Sequence, residues 1–327
     1  MDNPLVSIVI LTHNHEKFIQ QALDGILMQK INFSDEIVIG EDFSSDRTRE
    51  IICAYEKKYP DRIKVVTSEE NIGAINNLMR SINACNGKYL AFCEGDDYWV
   101  DHLKLQKQTD FLEKNENYGM VHTDANHFDQ KKQKLIKDFN KSNSINIPSG
   151  DIFSRLLKNF YFIKSATVMV RKELFLNVFD FMVCHDNQWL LTDLAIWLEV
   201  AANSKVKYFD ETTATYRLLE ESASRTKDWK KLLRFRLSVF DIRYYYWGKY
   251  SQDPDIKKKL DRVYYNTMIS GAFRLCDLAI AKNAIKGMKE RSVKVTIKQN
   301  IKYLFLLLID LFPNKNKIMK ILQAIPL

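Results

Sequence analysis

Between residues 88 and 99 the chain reads Lys-Tyr-Leu-Ala-Phe-Cys-Glu-Gly-Asp-Asp-Tyr-Trp, an apolar run that ends in three carboxylates within four residues. Tyr89 to Cys93 is continuously apolar and rich in aromatics, the pattern of a buried strand. In open parallel α/β sheets ligands bind beyond the C-terminal ends of such strands. Glu94, Asp96 and Asp97 fall there. Three like charges so close raise one another's pKa unless a cation shares them, which points to a hard divalent metal with oxygen ligands. Gly95 lets the backbone bend between them. The plainer alternative is an acidic surface turn; the strand before it and Tyr98-Trp99 after it argue for a site.

Strand and helix patterns alternate around this junction. Leu5 to Leu11 is a short β-branched run suited to a central parallel strand, followed by the turn Thr12-His13-Asn14-His15 and a helical pattern from Glu16 to Gln29. This is half of a mononucleotide-binding unit, with helix N-terminal amides available to a phosphate or a base. Glu36 to Gly40 predicts a second strand, with Ser44 or Ser45 capping a helix to about Tyr59. Ile63 to Thr67 predicts a third, and Asn71-Ile72-Gly73 opens a helix that closes on Gly87 as C-cap, with Arg80 on its outer face. Asp101 caps an amphipathic helix bearing lysines at 104, 107 and 114, and Tyr118 to Thr123 predicts a strand ending in Asp124. Residues 130 to 149 lack periodicity and form a candidate lid. Ser165 to Arg171, Val206 to Phe209 and Thr213 to Arg217 complete the sheet, with a helix over 186 to 202 that carries Asp193 near its start.

The charge is unevenly spread. Residues 225 to 327 hold 23 Lys and Arg against 8 Asp and Glu, a net +15, whereas residues 1 to 224 carry −7. The basic part suggests an anionic neighbour. Its most apolar stretch, Ile301 to Phe312, is interrupted by Lys302 and Asp310 and falls short of the roughly 20 residues that span a bilayer, but suits a helix lying on an anionic membrane face or packing on protein. Five cysteines without Cys-X-X-Cys spacing argue for a reducing cytoplasm, and the N-terminus shows no basic region of a signal peptide. No Gly-X-Gly-X-X-Gly follows the first strand and no Gly-Lys-Ser/Thr occurs, which sets aside dinucleotide dehydrogenases and P-loop NTPases; no nucleic-acid motif accompanies the basic tail.

Glu94-Gly95-Asp96-Asp97-Tyr98-Trp99 resembles the Asp-X-Asp motif of family 2 glycosyltransferases, in the subgroup that carries Glu-Gly-Asp-Asp-Tyr-Trp, and the resemblance extends over residues 4 to 225. It implies a GT-A-like, doubly wound, mostly parallel (Rossmann-like) α/β sheet over residues 1–225, with a basic, mainly helical extension over 226–327 for membrane or oligomer contact. By the same resemblance Mn²⁺ or Mg²⁺ is held by Asp96 with Glu94 or Asp97, and the substrate is a nucleoside-diphosphate sugar, UDP-linked. Thr12, His13 and Asn14 stand where the family's Pro-Thr-Tyr-Asn turn touches the nucleotide, with Leu11 and His13 in place of Pro and Tyr. Residues 41–48 resemble Asp-Asp-X-Ser-X-Asp-X-Thr, which makes Glu41 and Asp42 readers of the base edge and ribose. Leu78 and Met79 replace an Arg-Asn pair, leaving Asn76 and Asn77 as polar contacts. Tyr216-Arg217 resembles Tyr-Arg-X-His with Leu219 at the His, so that Arg217 or Arg225 meets the pyrophosphate while water completes the metal shell.

Asp193 matches the catalytic base of inverting members, with His185 and Asp186 in reserve. The implied reaction is inverting sugar transfer to a glycan or lipid-linked acceptor in capsule, O-antigen or other lipopolysaccharide synthesis, at the inner face of the plasma membrane; a retaining path through an enzyme nucleophile stays open. The other reading is a catalytically silent nucleotide-sugar-binding or scaffold protein, which Leu78, Met79 and Leu219 would favour.

Overall fold

The structure, a computed structural model, describes residues 3–158, 163–178, 180–220, 222 and 224–311. Its first part alternates β1 (Val6–Thr12), α1 (Ile19–Leu27), β2 (Asp35–Glu41), α2 (Thr48–Lys58), β3 (Ile63–Thr67), α3 (Ala74–Asn83) and β4 (Tyr89–Glu94). Strands β1 and β4 are buried almost residue by residue, as strands covered on both faces must be. The four strands are parallel in the order β3-β2-β1-β4. The chain thus leaves β1 on one side to build β2 and β3, then returns to the other side for β4. That reversal opens a crevice at the C-terminal ends of β1 and β4.

Beyond β4 the sheet becomes mixed. The order is β5 (Tyr98–Trp99), α4 (Lys104–Lys114), β6 (Tyr118–Asp129), β7 (Lys134–Ile136), α5 (Phe139–Ser142), α6 (Phe153–Lys158), β8 (Met169–Arg171), α7 (Lys172–Val178), α8 (Phe181–Asp186), α9 (Thr192–Asn203) and β9 (Lys205–Leu218). Strand β8 runs antiparallel between β4 and β6, β9 lies parallel to β6, β5 closes the path antiparallel to β9, and β7 pairs with β6. Ile8, Ile10, Ile37, Ile39, Tyr89 and Cys93 form the core with Ile19, Leu23 and Ile26 of α1 and with Trp99. Full burial of each large aliphatic side chain contributes roughly 1.5–3 kcal/mol.

Several local expectations change. The two final strands are one strand, β9, with an irregularity that carries the pairing from Phe209 opposite Thr123 to Thr212 opposite Asp124. Residues 130–149 are not an unbroken loop: β7 folds back on β6, and α5 follows with the backbone N–H groups of Asn140 and Lys141 donating to the Asp124 carboxylate. Ser165–Thr167 makes a 3-10 turn ahead of β8. Helix α3 ends at Ala84 rather than at Gly87; a Cβ at Gly87 would stand 2.5 Å from the Ser7 backbone nitrogen, so close packing on β1 explains that glycine. Lys104 lies inside, not on a solvated helix face, with Nζ 2.8 Å from Gln108 Oε1 and 4.3 Å from the centre of the Trp99 ring.

The chain divides into two units. The first holds Met1–Phe153, Phe160–Gln188 and Ile196–Leu219; the second holds Ser154–Asn159, Trp189–Ala195 and Glu220–Leu327. The long second segment begins after Leu219, and two short segments of the N-terminal part also belong to the second unit. That unit carries α10 (Trp229–Tyr250), α11 (Pro254–Leu275), α12 (Leu278–Glu290) and α13 (Ile297–Asp310). Asp228, Asp253, Asp277 and Thr296 cap these helices in turn. Among the described residues no helix is long and apolar enough to cross a membrane.

Candidate active site

Register brings three turns together at the crevice. Thr12 pairs beside Glu41 of β2, and Leu11 beside Glu94 of β4. The backbone continues the join: Asp42 N donates to Thr12 O at 3.0 Å and Gly95 N to Leu11 O at 2.9 Å. A Cβ on Gly95 would stand 2.7 Å from both Thr12 Oγ1 and His15 Nδ1, so only glycine lets the acidic turn close on β1. Those same two atoms are buried and make no hydrogen bond. Burial lowers the His15 pKa, with Asp96 and then Asp46 pulling the other way. His15 was not among the residues singled out by sequence.

The three acids of the turn have different environments. Glu94 and Asp96 are half-buried, whereas Asp97 is buried and its Oδ1 accepts from the Arg217 backbone N–H at 2.8 Å. Burial, then the charges of Asp96 and Glu94, push the Asp97 carboxyl well above the usual carboxylate range. Among the described residues no three His, Cys, Asp or Glu side chains gather into a metal-holding group. Three equal ligands are therefore not what the turn provides: Asp97 anchors it to β9, while Asp96 and Glu94 are its half-buried acids and the ones that would hold an ion. Hard oxygen donors, crowded enough to raise a neighbour's pKa, fit a divalent cation that takes one or two carboxylates and fills its remaining positions from phosphate and water.

Arg217, expected to reach a pyrophosphate, is buried instead. Its guanidinium donates to Gln130 Oε1 at 3.0 Å and to Gln21, and lies 4.9 Å from the ring centres of Phe18 and Tyr98 and 5.7 Å from Phe128. The aromatic rings around Arg217 had no sequence signature, because they come from the N-cap of α1, from β5 and from β6. Lys164, also unmarked in the sequence, adds positive charge near Asp97 and stacks over Tyr216 at 4.6 Å.

On the β2 side the two acids hold the loops. Glu41 is fully buried; Oε1 accepts from Ser44 N at 2.5 Å and Oε2 from Arg49 Nε at 2.6 Å. With no exposed surface, Glu41 is corrected from base or ribose reader to loop anchor. Asp42 is buried too, accepting from Ile72 N at 2.8 Å and Gly73 N at 3.0 Å, which fixes the start of α3. Asn76 is exposed and donates to Ile72 O just ahead of its helix, while Asn77 is buried and donates to Gly40 O at 2.8 Å. Arg80 turns inward, donating to Glu41 O at 3.0 Å and Asn77 Oδ1 at 2.7 Å. Arg80 and Asn77 thus stand one residue to either side of Leu78-Met79 and tie α3 to the end of β2.

The exposed groups at the rim are His13, Asn14, Phe43 and Asn71. His13 Nδ1 contacts Asp42 O at 2.8 Å. Asn14 joins the first two turns, its N–H donating to Ser44 Oγ at 3.0 Å and its Oδ1 accepting from Ser45 N at 2.8 Å. Neither serine caps α2; Asp46 Oδ1 accepts from Thr48 N at 2.9 Å instead. Phe43 is 47% exposed at φ +58°, a left-handed conformation that a bulky residue seldom adopts.

Asp193 stands half-buried in the first turn of α9, its Oδ1 accepting from Leu194 N at 2.9 Å, on the segment assigned to the second unit. His185 and Asp186, at the end of α8, are exposed and 3.5 Å apart. Arg225 is exposed in the second unit.

A family described as Glycosyl transferase family 2 matches residues 7–179, more than half of the chain. The putative teichuronic acid biosynthesis glycosyltransferase TuaG of Bacillus subtilis is 30% identical over 69% of this chain and 84% of its own. The Escherichia coli protein named UDP-Glc:alpha-D-GlcNAc-diphosphoundecaprenol beta-1,3-glucosyltransferase WfgD is 27% identical over 81% and 92%. An uncharacterized Mycobacterium tuberculosis protein, Rv1520, is 42% identical, but the match spans about a third of each chain (33% and 32%). Among solved structures, residues 1–349 of S. aureus TarS in complex with UDP-GlcNAc superimpose with a TM-score of 0.57 at 16% identity, covering 96% of this chain and 83% of that one. The mannosyltransferase PcManGT of Pyrobaculum calidifontis, in complex with GDP-Man and Mn²⁺, gives 0.52 at 14% identity, covering 99% and 85%. These two likenesses establish the fold.

Proposed function

Because the chain belongs to glycosyl transferase family 2, we propose that it moves a sugar from a UDP-linked donor to a lipid-linked glycan, building a cell-surface polysaccharide at the inner face of the plasma membrane. The observation that carries this reading is the acidic turn Glu94–Asp97 closing on Thr12 at the crevice between β1 and β4. Support for the donor comes from the UDP-sugar named for the Escherichia coli relative and held by TarS, and for the acceptor from the diphosphoundecaprenol in that relative's name.

Asp96, assisted by Glu94, would hold Mn²⁺ or Mg²⁺, whose charge would offset that of the departing diphosphate. Asp97 keeps the turn seated on β9, and Glu41 and Asp42 fix the loops that present His13, Asn14 and Phe43 to the nucleoside. Arg217 positions Gln21, Tyr98 and Phe128 around the turn rather than gripping phosphate. Asp193 takes the proton from the acceptor hydroxyl, and one base with direct displacement gives inversion at the anomeric carbon.

The test is transfer and donor hydrolysis across a panel of nucleotide sugars, with Mn²⁺, Mg²⁺ or chelator, using the whole protein and Asp96→Asn. Metal-dependent turnover lost in Asp96→Asn supports the reading. Nucleotide binding with no turnover on any donor would favour the silent protein instead.

A further inference from the structure

Helix α13 is two-faced. Its inner side is seated in the second unit, with Leu306 packed against Ala272 and Ala281, and with Gln299 and Ile309 buried. A capping box between Thr296 and Gln299 fixes its start. The outer side leaves Ile297, Ile301, Leu304, Leu308 and Leu311 exposed by 80, 61, 56, 57 and 79%. Their spacing of four and three residues in alternation aligns them in one stripe.

Two occupants could cover such a stripe, a second copy of the helix or lipid. A two-stranded seam wants charged residues on its flanks. Here the flanks along the centre are Phe305 and Leu307, both half-buried, which widens the apolar face instead of bordering it. The helix is 14 residues long. At 1.5 Å per residue it extends about 21 Å, and a contact confined to it falls short of the roughly 800 Å² per partner of a stable interface.

Charge points the same way. Lys289, Lys294 and Lys298 are exposed around the start of the stripe, while Arg291 is paired there with Asp261 at 2.8 Å. Lys302 is turned inward, with Nζ 2.9 Å from Ser270 Oγ, so no cation interrupts the middle of the outer face. Cations at one end and a bare apolar stripe beyond them suit a helix lying in the headgroup boundary of an anionic bilayer.

We propose that α13 is a membrane-docking surface, Ile297, Ile301, Leu304, Leu308 and Leu311 entering the acyl boundary of anionic lipid while Lys294 and Lys298 meet its headgroups. The purpose of this surface rests on the lipid-linked acceptor proposed above; its evidence is the helix alone.

Flotation of the whole protein tests it, with vesicles of phosphatidylcholine alone and vesicles containing phosphatidylglycerol. Binding is expected on the anionic vesicles, weakened about tenfold or more in Leu304→Glu/Leu308→Glu, and weakened and less salt-sensitive in Lys294→Glu/Lys298→Glu. Both variants change exposed residues, and hydrolysis of a water-soluble donor should be unchanged in each. Equal flotation of Leu304→Glu/Leu308→Glu and wild type overturns the proposal. So does a wild-type dimer in sedimentation that the same substitution dissociates, since the occupant is then a second copy. Flotation without turnover on any donor would sink the enzymatic reading and leave the docking surface standing; turnover without flotation does the reverse.

Discussion

The Arg217 backbone N–H donates to the Asp97 carboxylate at 2.8 Å, joining positions 120 residues apart. Asp97→Ala leaves that buried amide without its acceptor and should cost about 1–3 kcal/mol. Asp97→Asn keeps an acceptor oxygen and removes a buried charge. The folded-state pKa of Asp97 is raised, so ionising it disfavours the fold increasingly as pH rises above the ordinary carboxylate range. The advantage of Asn over Asp should therefore be absent near pH 4 and grow toward neutrality in chelator. Urea unfolding of the two variants across that range is the check; equal stability of Ala and wild type would remove Asp97 from its anchoring role.

Asp96→Asn should act differently. The side chain is half-buried and makes no hydrogen bond described above, so stability should change by less than about 1 kcal/mol. Metal-dependent transfer should fall by about a hundredfold or more, and the rise in melting temperature given by UDP with Mn²⁺ should disappear. A variant that keeps both would mean the ion is held elsewhere.

Gly95→Ala places a methyl 2.7 Å from Thr12 Oγ1 and His15 Nδ1. The turn must back away from β1, at about 1–3 kcal/mol in stability and with a larger loss in turnover than in folding. Adding Thr12→Ala removes the Oγ1 collision but leaves Thr12 Cβ at 2.9 Å and His15 Nδ1 at 2.7 Å, so it should return only a small part of the melting temperature.

His122 gives a pH signature of its own. It is fully buried on β6, and burial pushes its pKa down to about 3. Its depressed folded pKa means that the stability is whole above the ordinary histidine value near 6.5 and is lost as pH falls toward 3. Between pH 6.5 and 5 the wild type should lose about 2 kcal/mol more than His122→Leu in urea unfolding. Parallel pH profiles would refute the assignment.

The parallel half of the fold was legible because β1, β2 and β4 are apolar runs ending in polar turns, and a period of two or continuous burial survives in sequence. Strand β9 was harder: Asp210-Glu211-Thr212 looks like a break, and only pairing with β6 turns it into an irregularity within one strand. Lys104 reads as a solvated helix lysine because nothing in its neighbours reveals that Trp99 and Gln108 enclose it. The sequence marks the acids of the turns but not which of them are tied up by the backbone. That depends on partners distant in sequence, such as Arg217 for Asp97 and Ile72 and Gly73 for Asp42. Phe43 and Arg80 escaped for the same reason, since exposure and inward rotation are properties of packing.

The span between Asp97 and Arg217 bears on how the protein matures. A nascent chain that has emerged only as far as β8 already contains every acid of the crevice, yet lacks the amide that fixes the turn and the strand on which Tyr98 and Trp99 pair. Such long-range closure is slow relative to local helix formation. The seating of the acidic turn therefore comes late in synthesis, when β9 leaves the ribosome and docks, and a fragment ending before it should acquire its parallel core without that anchorage.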